Sequence, residues 1–590
     1  MFTKLEEKQI DKKIKFINNY INAENAASGS IVDANANVSS KNIATLNGEI
    51  YKDFSIQIRR KIIYNKILEL FGKDLAEQYI YDIENHYIYA NDETGLLNPY
   101  CVSITMYPFL LYGLTTLGGE SKAPEHLESF CGGFVNLVFA VSSQFSGAVS
   151  TPEFLTYFNY FAEKDYGKNY LETNLQTIKN HLQHCVYALN QPAAARSYQS
   201  VFWNIAIFDK YYFESLFENF IFPDNSTPDW DNINKLQKLF MSWFNEERTK
   251  SLLTFPVVTC NTLIDNNSPK DKDMLDFMSK ELSEGNSFFI YQSNSVDSLS
   301  SCCRLRNEVK DNTFSYTLGA GGIATGSINV ITMNINRIIQ KNWNLEEQLK
   351  RIHKYHYAFR CILKDLESKH MLPVYESGFI SLKKQFSTIG INGLVEAAEF
   401  KGIKISVNDE YKEFINSVLE PIYRLNKEAT KEYNCMFNTE FIPAENLGVK
   451  NARWDKKDGL LVNSNCYNSY FFKVEDNINI VDKFLLHGKD SIKFLDGGSA
   501  LHLNLEEYPT QEGYKKLLEL SAKVGCNYFT TNVKITICNE CENIDKRTLN
   551  KCPKCGSTNI DHATRIIGYL KRISSFSKDR QLEAARRFYN

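Results

Sequence analysis

Two short stretches decide the fold class: residues 255–261 read FPVVTCN, and residues 328–334 read INVITMN. Each stretch is apolar, rich in β-branched residues and of strand length, and polar or turn-forming residues bound it, which is typical of a buried strand. Helical periodicity follows the second stretch over residues 344–368, 394–402 and 408–431. Helices alternating with short apolar strands predict one large α/β body.

The same patterns predict further elements on both sides of these strands. Residues 1–20 are expected to form a charged helix, and residues 23–47, rich in Asn, Ala and Ser, an irregular arm. Helical spacing is found over residues 52–85 and through most of 100–250, including 178–190 and 201–221. Additional strands are predicted at 460–463, 470–474 and 500–505.

Composition excludes several classes of protein. The chain has 590 residues, of which 43% are hydrophobic and 23% charged, so it is neither a disordered nor a collagen-like chain. Lys and Arg number 67 against 70 Asp and Glu, and a net charge of −3 argues against a dedicated nucleic-acid binder. Because no apolar run reaches membrane-spanning length and the N-terminus is charged, we expect a soluble, cytoplasmic protein.

A cluster of four cysteines lies near the C-terminus. Cys538 and Cys541 form one CxxC pair, and Cys552 and Cys555 form a second pair after ten intervening residues. Four thiolates at this spacing suit a tetrahedral Zn²⁺ ion, and four protein ligands leave no open position, so the predicted zinc is structural. An iron–sulfur cluster is the main rival, and four unrelated thiols are the remaining alternative.

Several motifs in the expected order resemble those of one family. Residues 565–570 read RIIGYL, residues 301–305 read SCCRL, and residues 98–101 read NPYC. Alone, Gly568 would indicate only a tight turn. Further matches lie at 142–144, 199–204, 325–334, 386–396, 443–445, 462–464, 497–502 and 528–530. Together they resemble the large glycyl radical subunit of anaerobic (class III) ribonucleoside-triphosphate reductases, over roughly residues 30–575.

The resemblance implies a fold and a domain organisation. The expected fold is a ten-stranded α/β barrel of the glycyl radical enzyme and ribonucleotide reductase type, with surrounding helices and a C-terminal zinc ribbon-like module. Residues 1–50 would form an N-terminal arm without the nucleotide-binding cone found in related enzymes. The expected divisions are a catalytic barrel at 51–530 with a finger loop near 300–305, a zinc-binding module at 531–560, and a glycyl radical loop and tail at 561–590.

The resemblance also implies catalytic roles. Removing a 2′-hydroxyl from a ribose requires radical chemistry, for which the protein supplies storage and position. Gly568 would store the radical, since its spin spreads over the neighbouring amides. Cys303 would carry the thiyl radical, with Cys302 as a possible participant. Cys101 would protonate the leaving water and donate reducing hydrogen.

Other candidates follow with weaker support. Glu445 and Glu440 are possible site carboxylates, with a salt-bridged structural role as the alternative. Ser387, Thr388 and Gly390 could hold a phosphate or ribose through backbone N–H groups. Most remaining cysteines are expected to be core thiols, whereas the role of Cys466 stays open. His353 and His356 share a helix face and are interpreted as surface histidines.

Substrates and partners are implied in the same way. The substrates would be ribonucleoside triphosphates, controlled by dNTP or ATP specificity effectors, in a homodimer. A separate iron–sulfur activase would use S-adenosylmethionine to generate the radical. The formate-using branch carries an Asn where Ser327 stands here, with Asn329 two residues later. The reductant is therefore formate or a thioredoxin- or glutaredoxin-like protein, and neither membrane nor nucleic acid is an expected partner.

Two other functions stay open on the sequence alone. One is another glycyl radical enzyme, of the formate-lyase or dehydratase type, which shares the barrel, the glycine and the finger-loop cysteine. The other is a zinc-ribbon nucleic-acid-binding protein, which would need a basic face. The basic residues after Gly568 are Lys571, Arg572, Lys578, Arg580, Arg586 and Arg587, and such a run is usually a solvated surface.

Overall fold

The computed structural model describes residues 6–29, 41–193, 199–296, 298–301, 305–308, 323–442, 447–565 and 568–590. No helix within these ranges is both long and apolar enough to span a membrane.

The strands within these ranges are numbered in chain order. They are β1 Ile88–Ala90, β2 Cys101–Ser103, β3 Val149–Ser150, β4 Trp203–Phe208, β5 Val257–Asp265, β6 Ser268–Pro269, β7 Phe289–Ser293, β8 Ser298–Ser301, β9 Leu305–Glu308, β10 Thr325–Asn334, β11 Gln385–Asn392, β12 Met436–Phe441, β13 Leu501–Asn504, β14 Tyr528–Asn532, β15 Ile535–Cys538, β16 Ile544–Asp545, β17 Ile560–Arg565 and β18 Leu570–Arg572.

The α-helices of the described ranges are numbered likewise. They are α1 Glu7–Asn22, α2 Ala26–Gly29, α3 Ile43–Ile50, α4 Lys52–Phe71, α5 Lys73–Glu84, α6 Tyr107–Tyr112, α7 Leu127–Gln144, α8 Phe154–Tyr166, α9 Tyr170–Thr173, α10 Leu175–Leu189, α11 Lys210–Phe217, α12 Trp230–Lys250, α13 Lys272–Ser283, α14 Ile335–Gln340, α15 Leu345–Glu367, α16 Pro373–Glu376, α17 Leu394–Phe400, α18 Asp409–Tyr433, α19 Leu447–Lys457, α20 Ile480–Leu486, α21 Lys489–Ile492, α22 Gln511–Val524 and α23 Lys578–Arg586.

Ten of the described strands form one continuous sheet, in the order β12-β11-β10-β2-β3-β4-β5-β7-β14-β13, with β1 and β6 attached beside it. Strands β2, β3, β4, β5 and β7 run parallel to one another, as do β10, β11 and β12 and the pair β13 and β14. The two groups meet in antiparallel pairs, β2 with β10 and β7 with β14. The sheet therefore consists of two parallel halves that run in opposite directions.

The two ends of this sheet meet. Glu440 of β12 forms a parallel bridge with Gly498, just before β13. The Phe441 N–H donates to the Gly498 carbonyl at 3.1 Å, and the Gly497 N–H donates to the Thr439 carbonyl at 2.8 Å. These bonds close the ring, which confirms the predicted ten-stranded α/β barrel.

The central strands of the barrel are buried on both faces. Every residue of β10 and of β11 is buried, as expected for parallel strands covered by helices. Aromatic packing joins the helical layer to the barrel: the rings of Phe134 and Phe154 lie 4.5 Å apart, and Phe154 meets Trp203 edge-on at 5.3 Å. The barrel and the helices therefore share one hydrophobic core.

The structure corrects several sequence-based assignments. Residues 203–208, predicted within a helix over 201–221, form β4, and the helix α11 begins only at Lys210. All six residues of β4 are buried, and a continuous apolar run carries no periodicity that separates a buried strand from a helix. Residues 460–463 and 470–474 form no strand. The predicted irregular arm contains α2 and α3, since Asn42 caps α3 through its side chain.

The C-terminal strands form a second, small sheet in the order β16-β15-β17-β18. Its apolar side chains are Ile535, Ile537, Ala563 and Leu570. Strand β15 ends at Cys538 of the cysteine cluster, whereas β17 and β18 flank Gly568. The cysteine module and the glycine segment are therefore parts of one sheet, and the expected division at residue 560 falls at the first residue of β17.

Strands β8 and β9 form a separate antiparallel ribbon. Ser301 pairs with Leu305, so the ribbon ends at the expected finger-loop tip. The backbone of β8 lies beside β4, β5 and β7, whereas that of β9 lies beside β10. Strands β4, β5 and β7 belong to one half of the ring and β10 belongs to the other. Because the ribbon lies beside strands of both halves, it lies inside the barrel.

Candidate active site and metal centre

Cys101 begins strand β2, at the seam between the two halves of the barrel. It pairs with Ser327 of β10 across the antiparallel seam, and its side chain is 5% exposed. Its Sγ accepts a hydrogen bond from the Ala148 N–H at 3.4 Å. A Cβ on Gly147 would lie 2.4 Å from this Sγ, so only glycine allows the loop before β3 to approach the thiol.

A chain of hydroxyl groups leads from this seam to the next strand. The Ser327 hydroxyl lies 2.8 Å from that of Thr388 on β11, and it also donates to the Asn329 carbonyl at 3.1 Å. The three side chains of Cys101, Ser327 and Thr388 are buried. The structure thus brings Thr388 near Cys101 through Ser327, a residue that sequence reasoning considered only in relation to the reductant.

The neighbouring candidates on β11 do not form the expected backbone cradle. Ser387, Thr388 and Gly390 pair with β10 on one side and β12 on the other, so their backbone groups lie within the sheet. Ser387 points toward α15, where Arg360 Nη2 donates to its hydroxyl at 3.5 Å. A Cβ on Gly390 would lie 2.2 Å from the Thr332 hydroxyl, so this glycine permits close packing within the sheet.

The structure describes one of the two candidate carboxylates and neither of the finger-loop cysteines. Glu440 is buried on β12, opposite Gly390. Glu445, Cys302 and Cys303 lie outside the described residues. The described part of the ribbon ends at the paired residues Ser301 and Leu305.

Gly568 is buried between β17 and β18. Its carbonyl accepts a hydrogen bond of 2.6 Å from Arg565 Nη1. The same guanidinium donates to the Ser287 hydroxyl at 2.9 Å and to the Ser287 carbonyl at 3.0 Å. Arg565 therefore ties the glycine segment to the loop that precedes β7, and burial lowers its pKa to about 10.

The glycine segment lies at the same end of the barrel as Cys101. The ring of Tyr569 packs edge-on against Phe202 at 5.3 Å and lies 5.6 Å from Phe255. The Phe202 carbonyl accepts from the Val149 N–H at 2.9 Å, one residue after the N–H that contacts Cys101. The barrel thus gathers residues from 101 to 569 at the beginnings of β2, β3 and β4.

A polar cavity of about 370 Å³ opens beside the segment that precedes Cys101. Its walls come from the segment before β2, the end of α7 and the α3–α4 corner. Lys52 reaches it from the corner, where it forms an ion pair with Glu49. Sequence reasoning missed this wall, since residues 47–55 carry no motif. The lining residues include Asp92, Asn98, Ser143, Ser146 and Gln199.

The four C-terminal cysteines form a compact metal-binding geometry. Their sulfur atoms all lie within 4.8 Å of one another. The Cys538–Cys555 and Cys541–Cys552 pairs are separated by 3.5 and 3.6 Å, close to the edge of about 3.8 Å expected for a tetrahedral Zn–thiolate site. The N–H groups of Glu540 and Cys541 point at the Cys538 sulfur, which favours a thiolate. The residues fit a structural zinc ion.

Two buried histidines depart from the sequence interpretation. His353 and His356 are buried rather than on the surface, because their face of α15 packs against α18 and the barrel: His353 contacts Asn426, and His356 contacts the Thr388 carbonyl. Burial lowers their pKa values to about 4 and about 3.

Glu396 is also buried, and neither of its carboxylate oxygens has a hydrogen-bond partner among the described residues. Burial raises the pKa of Glu396 to about 8.

Comparisons with known proteins agree with this geometry. A family model described as anaerobic ribonucleoside-triphosphate reductase matches residues 49–589. A solved anaerobic ribonucleotide reductase is 28% identical, with a TM-score of 0.85 over 98% of this chain and 93% of that one. The Thermotoga maritima enzyme in complex with dATP and CTP is also 28% identical, with a TM-score of 0.83 over 99% of this chain and 100% of that one.

A more distant likeness concerns the fold alone. A glycyl radical enzyme from Archaeoglobus fulgidus is 12% identical, with a TM-score of 0.50 over 89% of this chain and 84% of that one. No curated protein sequence matches the chain.

Proposed function

The chain belongs to the anaerobic ribonucleoside-triphosphate reductase family, and from this membership we propose how its residues divide the work of reducing ribonucleoside triphosphates to 2′-deoxyribonucleoside triphosphates. The observation that carries the proposal is the convergence of three segments on one barrel: the Cys101 strand, the finger ribbon, and the Gly568 segment, whose Tyr569 ring packs against Phe202 just before β4. These segments are separated by hundreds of residues in the chain, and only the closed ring brings them together.

Each segment has a distinct role in the proposed reaction. Gly568 stores the radical, and Cys303 relays it by removing the 3′ hydrogen of the ribose. Loss of the 2′-hydroxyl as water then requires a proton, for which Cys101 is the donor. The 3′ hydrogen returns at the end and regenerates the Cys303 radical, whereas the two electrons that reduce the sugar come from the external reductant. Cys302 and Glu445 are secondary candidates beside this relay.

The burial of Cys101 suits this role. Its thiol lies in a site closed to bulk solvent, where a sulfur-centred reaction is protected from competing oxidants. The hydroxyl groups of Ser327 and Thr388 supply polar contacts on the neighbouring strands. We assign these two residues to orienting the thiol and the ribose, in place of the phosphate cradle expected from the sequence.

The polar cavity beside the segment that precedes Cys101 is the proposed nucleotide entrance. Hydroxyl and amide groups on its walls suit ribose and phosphate oxygens, and Lys52, which is paired with Glu49, adds an ammonium donor. The related enzyme solved with dATP and CTP supports nucleotide substrates and deoxynucleotide effectors for this chain as well. A homodimer that carries the effector site is part of the proposal.

The remaining partners follow from the chemistry. A separate activase with an iron–sulfur cluster and S-adenosylmethionine would generate the glycyl radical. The two electrons would come from formate or from a thioredoxin- or glutaredoxin-like protein, and Ser327 at the position of the formate-branch Asn favours the second. We place the reaction in the reducing cytoplasm, where Cys101 and the zinc ligands stay reduced.

A zinc ion would serve the radical segment structurally. Bound by Cys538, Cys541, Cys552 and Cys555, it would supply a fixed tetrahedral anchor without an open position. Strand β15, which ends at Cys538, pairs with β17, and β17 and β18 flank the segment around Gly568. We propose 51–530 as the catalytic barrel, with 531–560 and 561–590 acting together as the support of the radical glycine and 1–50 as an arm.

The alternatives are less well supported. The likeness to another glycyl radical enzyme extends to the fold only. A nucleic-acid-binding role needs an open basic face, but Arg580 and Arg587 are buried against Glu583, and Lys571 is buried over the Phe576 ring. These three basic residues of the tail therefore form contacts within the protein and do not contribute to an open basic face.

The test of the proposed function is a turnover assay under strict exclusion of oxygen. The full chain is activated with a competent radical-generating partner and given CTP, with formate or dithiol-reduced glutaredoxin in separate reactions. Formation of dCTP in either reaction supports the proposal and identifies the reductant. Radical formation without dCTP in both reactions, across ATP and dNTP effectors, would contradict it.

A further inference from the structure

Two buried guanidinium groups converge on one residue near the C-terminal sheet. Arg248, at the end of α12, donates from Nη1 to the Ser287 carbonyl at 2.7 Å. Arg565 donates to the same carbonyl from Nη2 at 3.0 Å. The two arginines are 6% and 1% exposed, so like charges are held together away from solvent.

Neither arginine has an acidic partner. Among the described residues, no carboxylate forms a salt bridge with Arg248 or Arg565. The largest effects on the Arg248 pKa are burial and the charge of Arg565, and both lower it well below its usual range. An arginine side chain does not deprotonate in proteins. The Phe244 ring lies 4.1 Å from the Arg248 guanidinium and the Phe289 ring 5.1 Å from that of Arg565, but a ring face offsets only part of a buried charge, so an anionic group is still required.

The two side chains line a small cavity between three parts of the fold. It holds about 30 Å³, which is room for one or two water-sized groups. Its walls come from the barrel, from β17 with Arg565 and from the zinc module with Lys546. All three charged residues that line it are cations, and no Asp or Glu is among them. Glu281 and Glu284 act on Lys546 from outside this lining.

Among the described residues that line this cavity, one buried donor, on Arg248, and one buried acceptor, Asn532 Oδ1, are unsatisfied. Arg248 Nη2 is buried and has no hydrogen-bond partner in the described part of the chain. The other nitrogens of this guanidinium are engaged, Nε with the Leu253 carbonyl and Nη1 with Ser287. A buried donor without an acceptor costs about 1–3 kcal/mol, and more when it is charged, so the geometry calls for an acceptor in the cavity.

We propose that this cavity is a binding site for a small monovalent anion of the size of a chloride ion. Such an anion accepts from Arg248 Nη2, offsets the charges of Arg248, Arg565 and Lys546, and fits the volume, which excludes a nucleotide phosphate chain. Because Arg565 also holds the Gly568 carbonyl, the anion fixes the joint between the zinc module, the glycine segment and the barrel. The inference does not depend on the proposed reaction.

Bromide is the probe, since it replaces chloride and scatters anomalously. Crystals of the zinc-loaded full chain are soaked in sodium bromide, and anomalous difference maps are computed. We expect a peak within hydrogen-bond distance of Arg248 Nη2. An empty or water-filled cavity in crystals that hold bromide elsewhere on the surface would overturn the proposal.

Thermal denaturation supplies a second measurement in solution. The melting temperature of the zinc-loaded chain is followed against chloride at constant ionic strength, with gluconate as the bulky counter-anion. We expect chloride to raise it, because a ligand that binds only the folded state stabilises that state. Lys546→Gln, at a half-buried position, should raise the half-maximal chloride concentration about threefold or more.

A matched substitution separates the cavity from general charge effects. Lys516→Gln removes one positive charge from an exposed position on α22, outside the cavity, and should leave the chloride response unchanged. Arg248→Lys keeps the charge and removes Nη2, and it should weaken the response further than Lys546→Gln. Equal chloride responses in the parent and all three variants would contradict the site.

Discussion

Cys101 and Ser327 stand directly opposite each other on antiparallel strands, at one of the two seams where the parallel halves of the barrel meet. Residues opposite each other in a sheet place their side chains on the same face, about 4.5–5.5 Å apart at Cβ. The seam therefore fixes a thiol from the first strand of the ring beside a hydroxyl from the strand that follows the finger ribbon.

Replacing Cys101 by serine should abolish reduction. The substitution keeps the size of the side chain and removes the sulfur that donates reducing hydrogen, so we expect turnover to fall by about three orders of magnitude or more. The barrel should remain folded, because the hydroxyl can accept from the Ala148 N–H as the thiol does. The measurement is dCTP formation together with the melting temperature.

Cys361→Ser is the matched control for this variant. Cys361 is half-buried on α15, away from the seam, and should retain parental turnover. Full activity of Cys101→Ser would remove Cys101 from the mechanism.

Gly147→Ala should displace the Cys101 thiol. The added Cβ would meet Sγ at 2.4 Å and the Tyr100 carbonyl oxygen at 2.9 Å, and a core clash of this kind costs about 1–3 kcal/mol. We expect lower turnover together with a lower free energy of unfolding, measured by denaturant titration. Gly132→Ala on α7 is the control, since nothing lies within 4 Å of its new Cβ and alanine favours the helix. Equal effects of the two substitutions would contradict the close approach.

Loss of the metal should disturb the segment around Gly568. The full chain should contain one zinc ion, and Cys541→Ser should lose it, because three ligands hold a structural zinc far more weakly than four. Since β15 pairs with β17, we expect faster amide hydrogen exchange from β15 through β18 in the variant. Unchanged exchange over 560–572 in a zinc-free variant would show that the sheet forms without the metal.

Glu396 should make stability depend on pH. Burial raises its pKa in the folded state to about 8, above the ordinary value of 4.5, so the folded state binds a proton that the unfolded state releases. Its contribution to stability is therefore present below about pH 4.5 and is lost as the pH rises toward 8. Glu396→Gln removes this dependence, and its stability relative to the parent should rise by up to about 4 kcal/mol between pH 5 and 8.

The control for this variant is Glu519→Gln, at an exposed position on α22. It should shift stability by less than about 0.5 kcal/mol at either pH. A Glu396→Gln variant whose stability runs parallel to the parent across the range would place Glu396 in an environment that favours its charged form.

Local patterns predicted much of the fold. The strands around FPVVTCN and INVITMN and the helices α10, α15, α17 and α18 lie within a few residues of the positions predicted, because β-branched runs and 3.6-residue periodicity reflect local burial. Strand β4 was misassigned, since a strand buried on both faces has no alternation to identify it. Closure of the ring through Glu440 and Gly498 has no local signature at all.

The parts of the site that depend on local sequence were predicted, and the parts that depend on the tertiary fold were not. The cysteine spacing was sufficient for the metal centre, because the ligands of a knuckle are close in sequence. Ser327 and Lys52 were not identified as site residues, since their positions depend on strand register and on the α3–α4 corner. The burial of His353 and His356 depends on packing against α18 and β11, which helical periodicity alone does not reveal.

The most direct test of the central claim combines spectroscopy with cleavage. The full chain is activated anaerobically with a competent radical-generating partner, its EPR spectrum is recorded, and oxygen is then admitted before mass analysis. We predict a glycyl doublet and cleavage at Gly568 that releases the fragment beginning at Tyr569, with dCTP formed when CTP is added before oxygen. A silent spectrum and an intact chain, with an activase shown to work on another substrate, would contradict Gly568 as the radical store.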